Sequence, residues 1–475
     1  MKTKFALVAL VLITFSCKKN DDPGNSPNPG ASTAEELLMD SVYLYSREVY
    51  FWNDLIPSYG LFNPRQYKAS TEINSAKNVM QAIRKIQPRD RYSFVTTIEE
   101  SNSIQTGNNK DYGFFVKAAS VDVAAPLDST YWFVSYVYDQ STAGIAGVKR
   151  GWIVNKINGT QIVYDQAGSN TLNNTFFGTV TSANFEFIKP DKTIVAATLN
   201  KSSFTANSVL YKGVINSGGK KVGYLVFNQF FGAPSRAELA NAFTDFESTG
   251  IDELVVDLRY NPGGSTETQD ALANRIAPLS ANSKKMYTYQ FNAQLQQGNF
   301  PLLKKKAGFQ NVSFAENSNS VGYEKAGTLN LNRVFFIVTA SSASASELLI
   351  NNLQPYMEVK LIGDTTYGKP VGFFPIEIAN YAIYPISFRT INSAGNADYF
   401  GGFAPDKLTT DEVSKNWGDV TEPSLAAALN YISTGAFRAA EDRSLKLRME
   451  AQQMLKPLQH DLESKKFTGM YKEEK

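Results

Sequence analysis

The spacing of apolar residues divides the chain into distinct regimes. Behind Ser32-Thr33-Ala34-Glu35-Glu36, which offers overlapping capping boxes, Leu38, Val42, Tyr45, Val49 and Trp52 recur at spacings of four and three, the stripe of an amphipathic helix. A second helical stretch runs from about Ser75 to Ile86 and ends near Pro88. Residues 33–104 are therefore expected to form a small helical domain, with the aromatic stripe as its core. From about Asp111 to Leu199 the pattern shortens to strands over 113–116, 131–138, 152–157, 184–188 and 194–199, which predicts a β-domain at 105–202. Beyond Ser203 strands and helices alternate. Residues 222–227 read as a strand, Ser235-Arg236-Ala237-Glu238 caps a helix running to about Glu247, and 253–258 is a strand ending at Arg259-Tyr260-Asn261-Pro262-Gly263-Gly264. A helix through Ile276, an irregular polar stretch, and strands at 333–338 and 359–362 complete the series. The alternation predicts an α/β core over 203–435, with its βα turns gathered at one edge. Residues 436–475 read as a charged tail with a helical pattern, and the sequence assigns it no role.

The amino terminus reads as an export signal. Lys2 and Lys4 precede an apolar run from Phe5 to Phe15 that is too short to span a bilayer. The run stops at Ser16-Cys17, and Cys17 is the single cysteine in 475 residues. A small residue and a lone cysteine directly after the apolar run resemble a bacterial lipoprotein cleavage site, which makes 1–16 the signal peptide and Cys17 the lipid carrier. The other reading is an ordinary signal peptide with an incidental cysteine. Residues 17–32 are polar, with Pro23-Gly24 and Pro29-Gly30, and read as a flexible tether. The expected location is the cell envelope, lipid-anchored, at the outer membrane.

Composition narrows the chemistry. With Cys17 acylated there is no thiol for a disulfide, a thiolate metal site or a cysteine nucleophile, and the one histidine, His460, lies in the tail. Neither a metal nor any other cofactor is expected. A net charge of +2 points neither to nucleic acid nor to acidic substrates. A hydrolase built here on serine needs a base other than imidazole, and lysine is the obvious one. Ser344 lies in Ser341-Ser342-Ala343-Ser344-Ala345-Ser346-Glu347, and Lys369 follows 25 residues later in Thr365-Thr366-Tyr367-Gly368-Lys369. Ser344-x-x-Glu347 is itself a capping box, so a purely structural cap and a nucleophile are both open readings. A serine at a helix start sits among unpaired N–H groups that also suit an oxyanion. Lys369 is either a surface lysine at a strand end or an amine desolvated by Pro370-Val371-Gly372-Phe373-Phe374. Desolvation lowers an ordinary lysine pKa of ~10.4 and turns the amine into a base. Ser217-Gly218-Gly219-Lys220 fits the Ser-x-x-Lys string of β-lactamases, but it lies in a hairpin turn without the accompanying motifs.

The ordered set of motifs resembles the carboxy-terminal processing (tail-specific) peptidases. It comprises Asp257-Leu258-Arg259-Tyr260-Asn261-Pro262-Gly263-Gly264, the serine block, Thr366-Tyr367-Gly368-Lys369 and the late Tyr399-Phe400-Gly401-Gly402-Phe403-Ala404-Pro405-Asp406. The run from Ser141 to Gly159 resembles a PDZ signature, with Tyr112-Gly113-Phe114-Phe115 as its carboxylate-binding loop and Arg150-Gly151-Trp152 where Pro-Gly-Asp is usual. The resemblance implies an α/β fold with a ClpP/crotonase-like protease core, an inserted or preceding PDZ-like β-domain and the helical unit at the amino terminus. It implies a serine endopeptidase with a Ser-Lys dyad working through an acyl-enzyme, on protein or peptide substrates engaged by their C-termini at the PDZ-like domain. Ser344 matches the nucleophile and Lys369 the general base. Gly263 and Gly264 match the oxyanion pair, with the N–H of Ala345 as second donor, and Glu347 and Thr366 match supporting positions. Two positions depart from the pattern. Phe373 stands where many members have a glutamine that orients the lysine, and Pro355 where some carry an acid. These departures support the rival expectation, a lipid-anchored peptide-binding protein with a weak or inactive protease-like core.

Overall fold

The computed structural model describes residues 32–122, 125–438, 442–463 and 467–473. The signal segment, Cys17 and the side chain of His460 lie outside the described residues. The core sheet is built from Val209–Ser217, Lys220–Phe227, Glu253–Asp257, Arg333–Val338, Glu358–Gly363 and Lys407–Leu408, in that spatial order. The first two strands form an antiparallel hairpin through Gly218-Gly219, and the others add in parallel. Strands buried on both faces read as continuous apolar runs, and Glu253–Asp257 is buried at every position. Alternate residues serve opposite faces. Leu254, Val256, Phe336 and Val338 pack with Leu239, Phe243, Leu272 and Leu348 from helices Ala233–Thr249, Thr266–Ile276 and Ala345–Leu353. Val255, Phe335 and Ile337 pack with Leu425, Leu429 and Ile432 of helix Pro423–Thr434.

The amino-terminal helices Ala34–Val49 and Glu72–Ile86 bury Leu38, Val42, Val49, Val79 and Ile83 in that same main core. The reciprocal Thr33–Glu36 capping box opens the first of them. The strand that follows, Phe94–Thr97, pairs with Tyr381–Tyr384, so the helical unit is sewn to the core by a strand. Helix Ala233–Thr249 begins before the predicted cap. Pro234, in its first turn, needs no amide partner there. Glu238 instead accepts the Val209 N–H at 2.8 Å, and Ser235 bonds Ser208. The stretch predicted to be irregular contains the strand Lys285–Phe291, paired with Phe388–Asn392.

Residues 114–200 form an antiparallel sheet of Phe114–Ser120, Thr130–Val137, Ile153–Ile157, Ser182–Ile188 and Ile194–Asn200, in that order, with helix Gln166–Phe177 packed on it. Arg150 fastens this sheet to the core. Its guanidinium bonds the Ser135 carbonyl and the Tyr260 hydroxyl at 2.8 Å, meets Asp411 at 3.0 Å and lies 4.0 Å over the Trp417 ring. The described parts of the tail are structured. Helix Asp442–Glu463 lies against Phe114–Ser120 and Gln166–Phe177, burying Leu455 and Leu462, and the short strand Gly469–Tyr471 inserts into the core.

Candidate active site

Parallel strands end at one edge, so the loops after Glu253–Asp257, Arg333–Val338 and Glu358–Gly363 meet there. Hydrogen bonds stitch them together. Ser342 Oγ donates to the Leu258 carbonyl (2.7 Å), the Ala343 N–H to the Asn261 carbonyl (3.0 Å) and the Tyr367 N–H to the Ser342 carbonyl (3.0 Å).

Ser344 occupies the N-cap of helix Ala345–Leu353 with φ 60° and ψ −106°, a conformation that non-glycine residues rarely adopt. Such backbone strain costs of order 1–3 kcal/mol and clusters at functional sites. Ser344 is fully buried and its Oγ has no hydrogen-bond partner among the described residues. Half of the capping box is made: the Ser344 N–H donates to Glu347 Oε2 at 2.8 Å, but Oγ does not close the other half. The hydroxyl is thus unsatisfied, an unusual state for a buried polar group.

Glu347 ties the serine loop to the lysine loop. Its Oε1 accepts Thr366 Oγ1 and the Gly368 N–H, both at 2.6 Å, and its Oε2 accepts the Ser344 and Lys369 N–H groups, both at 2.8 Å. Burial pushes this carboxyl above its ordinary pKa, and the four donors oppose that shift. Thr366 in turn accepts the Phe403 N–H at 2.7 Å and donates its own N–H to the Phe403 carbonyl. The late glycine motif braces this contact: a Cβ on Gly402 would lie 2.2 Å from the Thr366 carbonyl.

Lys369 is fully buried, not a surface lysine. Its amine lies 4.1 Å from the ring centre of Phe373 and 4.6 Å from that of Tyr92, and donates to the Thr468 carbonyl at 2.6 Å. Burial holds the amine well below the ordinary lysine pKa. Asp90 and Glu347 pull it back up, and Arg84 pushes it further down. Phe373 therefore supplies an apolar wall where a polar orienter was absent, and the hydrogen bond comes from the tail. Pro355 lies exposed beyond the helix end, away from these contacts.

Gly263 and Gly264 have φ of 105° and 138°. A Cβ on Gly264 would lie 2.0 Å from the Phe230 carbonyl, and one on Gly263 would lie 3.0 Å from Ser344 Cβ, so the pair runs directly beside the serine. The Gly263 N–H is taken by Asn261 Oδ1 at 2.9 Å, which leaves Gly264 as the donor of the pair to weigh. Ala345, the first residue of its helix, has an N–H without an intrahelical acceptor.

Sequence reasoning missed several parts. Asp90 and Tyr92 come from the amino-terminal unit. Asp90 accepts the N–H groups of Tyr92 and Ser93, and Tyr92 donates its hydroxyl to the Gly368 carbonyl at 2.7 Å. Arg259 is buried in ion pairs with Asp257 (2.7 Å), Asp411 (2.8 Å) and Glu422 (2.9 Å), fixing the loop that leads to Gly263. The tail strand could not be found from periodicity, because three residues show none.

Comparison with known proteins accords with this geometry. Residues 221–407 match the sequence profile of Peptidase family S41. The chain is 26% identical over 231 residues to a carboxyl-terminal-processing protease of Synechocystis sp., covering 48% of this chain and 47% of that protein. It is 28% identical over 183 residues to one from Picosynechococcus sp., covering 38% and 37% respectively. The chain thus spans about half the length, or less, of these curated relatives. Its fold resembles that of a crystallised S41 protease candidate from Bacteroides fragilis, with a TM-score of 0.63 and 22% identity, covering 88% of this chain and 100% of that one.

Proposed function

We propose, from the match of residues 221–407 to Peptidase family S41, that the chain is a serine endopeptidase of the carboxy-terminal processing type using a Ser344–Lys369 dyad. One observation carries this reading: a fully buried lysine with a depressed pKa is clamped by Glu347 to the loop of a strained serine whose hydroxyl is unpartnered. In the reaction, Ser344 Oγ attacks the scissile carbonyl carbon as its proton passes to Lys369 Nζ. The oxyanion forms against the Gly264 and Ala345 amides. Collapse expels the amine, which takes the proton from Lys369 and leaves an acyl-enzyme on Ser344. Water, deprotonated by Lys369, then releases the acid and regenerates the serine. Glu347 and Thr366 position the two loops and touch no reacting atom.

Substrates would be unstructured polypeptides. The sheet over 114–200 would be PDZ-like and would engage their C-termini, although the Gly113 N–H in its candidate loop is already taken by the Asp111 carboxylate at 2.6 Å. Cys17 would carry the lipid that holds the protein in the envelope. Among the described residues no helix is long and apolar enough to cross a membrane.

The rival, a lipid-anchored peptide binder with an idle core, draws on the Lys369 amine donating to Thr468 while Ser344 Oγ stays unbonded. Hydrolysis of an unstructured polypeptide by the purified protein separates the two. Activity lost in both Ser344→Ala and Lys369→Ala supports the dyad. Binding without turnover supports the rival, and equal turnover in all three proteins sinks the dyad assignment.

A further inference from the structure

The space beside Ser344 and Gly263 is filled by residues 467–473 of the same chain. Strand Gly469–Tyr471 runs parallel to Gly263–Ser265 in the register Gly263↔Gly469, Gly264↔Met470 and Ser265↔Tyr471. Its other edge pairs with Phe373. The Phe373 N–H donates to the Met470 carbonyl (3.1 Å), and the Lys472 N–H donates to the Phe373 carbonyl (3.0 Å). The Gly469 N–H bonds the Pro262 carbonyl at 3.0 Å. The alternation of a parallel ladder then turns the Gly469 carbonyl toward the Gly264 amide, the same group assigned above to the oxyanion. The preceding carbonyl, of Thr468, holds the Lys369 amine. The tail thus engages both the donor and the base of the dyad machinery through main-chain atoms alone.

Side chains fix the register. A Cβ at Gly469 would lie 2.7 Å from both Lys369 Nζ and the Phe373 ring, so only the smallest residue fits there without displacement. Met470 and Tyr471 are fully buried, and the Tyr471 hydroxyl reaches the Gln105 carbonyl at 3.2 Å. Glu473 pairs with Arg236 at 2.6 Å and accepts from Ser265 Oγ at 2.5 Å. Upstream, helix Asp442–Glu463 covers the outer edge of strand Phe114–Ser120, where Gln459 Oε1 accepts the Ala118 N–H at 2.7 Å. That is an edge at which a peptide would add as a strand. The described tail segments, 442–463 and 467–473, cover both surfaces.

We propose that the tail is a tethered occupant of the substrate cleft, competing with polypeptides that bind as an added strand between Gly263–Ser265 and Phe373. The same contacts define the strand that this surface takes: a small residue beside Lys369, two apolar residues after it, and an acidic residue opposite Arg236. This rests on the peptidase reading for its kinetic consequence but not for the occupancy itself.

The test uses the protein with its tail, Gly469→Val and Glu473→Arg, the second placed at a partly exposed side chain. Two quantities are followed: KM and kcat on an unstructured polypeptide, and hydrogen exchange of the 263–266 amides. A competing tail raises KM and leaves kcat alone. Both variants should therefore lower KM about tenfold at nearly constant kcat, the factor expected if the wild-type cleft is open in only ~10% of molecules. Exchange at Gly264 should quicken in parallel. KM within twofold of wild type in both variants overturns the proposal, whatever the exchange shows. If no form hydrolyses substrate, the peptidase reading falls and exchange alone decides: faster exchange at Gly264 in both variants upholds the occupancy, and unchanged exchange overturns it.

Discussion

Replacing Glu347 by glutamine tests whether the carboxylate is the clamp between serine and lysine. Each oxygen accepts two donors, Thr366 Oγ1 and the Gly368 N–H on one side and the Ser344 and Lys369 N–H groups on the other. A glutamine keeps one acceptor oxygen and presents an NH₂ in place of the other. The NH₂ will settle on the Thr366 side, because a hydroxyl can turn its proton away and accept, whereas a backbone N–H cannot. One buried donor, the Gly368 N–H, is then orphaned, at a cost of about 1–3 kcal/mol. Part of this is offset, since burial of the ionised carboxylate is unfavourable and a neutral amide escapes it. The expected net loss is about 1–2 kcal/mol, read as a lower denaturation midpoint at unchanged m. The pH dependence carries a definite sign. A folded pKa raised above the ordinary carboxyl value means that the native state binds more protons than the unfolded one between those two values. Wild-type stability from this group therefore rises as pH falls through that window. The Glu347→Gln protein lacks that slope, so the gap between the two should widen on acidification. A gap below about 0.5 kcal/mol, flat with pH, and an unaltered exchange rate for the Gly368 amide would refute the clamp.

Other outcomes follow from the same geometry. Lys369→Met should abolish hydrolysis yet stabilise the protein at neutral pH. The unfolded lysine binds more protons than the buried one between the lowered folded pKa and ~10.4, so wild-type stability rises with pH across that window; thermal denaturation of the two proteins from neutral to alkaline pH measures it. Gly264→Ala should lower kcat about 10²–10³-fold with a smaller change in KM, because the new Cβ meets the Phe230 carbonyl and displaces the oxyanion amide; steady-state kinetics decide this. Arg259→Met should destabilise by about 3–5 kcal/mol in denaturant titration, since it leaves Asp257 and Glu422 buried without their guanidinium. Phe373→Gln should move the alkaline-rising limb of kcat/KM to higher pH, because a polar side chain beside the amine relieves the desolvation that depresses it.

What could be read from sequence was what depends on local pattern. The apolar runs at 222–227, 253–258 and 333–338 are strands because parallel strands are buried on both faces, and the order of their ends places Gly263, Ser344 and Lys369 on one edge. What could not be read depends on partners far along the chain. Lys285–Phe291 pairs with Phe388–Asn392, where Gln290 and Arg389 are 99 positions apart, and polar neighbours hide it. Ser235 and Glu238 fit the string of a cap, but Pro234 had already started the helix and their side chains were drawn to the strand beside them. Asp90 shapes the charge balance at Lys369 from a turn with no motif. With the tail strand in place, the Lys369 amine is held by a backbone carbonyl at Thr468 and by no side-chain orienter. Main-chain recognition leaves no side-chain signature to read.

The central claim is that Lys369 activates Ser344, and covalent labelling addresses it without a known substrate. The protein is treated with a fluorophosphonate across a pH series, and the modified residue is located by peptide mass spectrometry. The account predicts label on Ser344 at a rate that climbs with pH through a value below the ordinary lysine range, and loss of that labelling in Lys369→Met. Equal labelling of Ser344 in Lys369→Met, or label on another serine in the wild type, would contradict it.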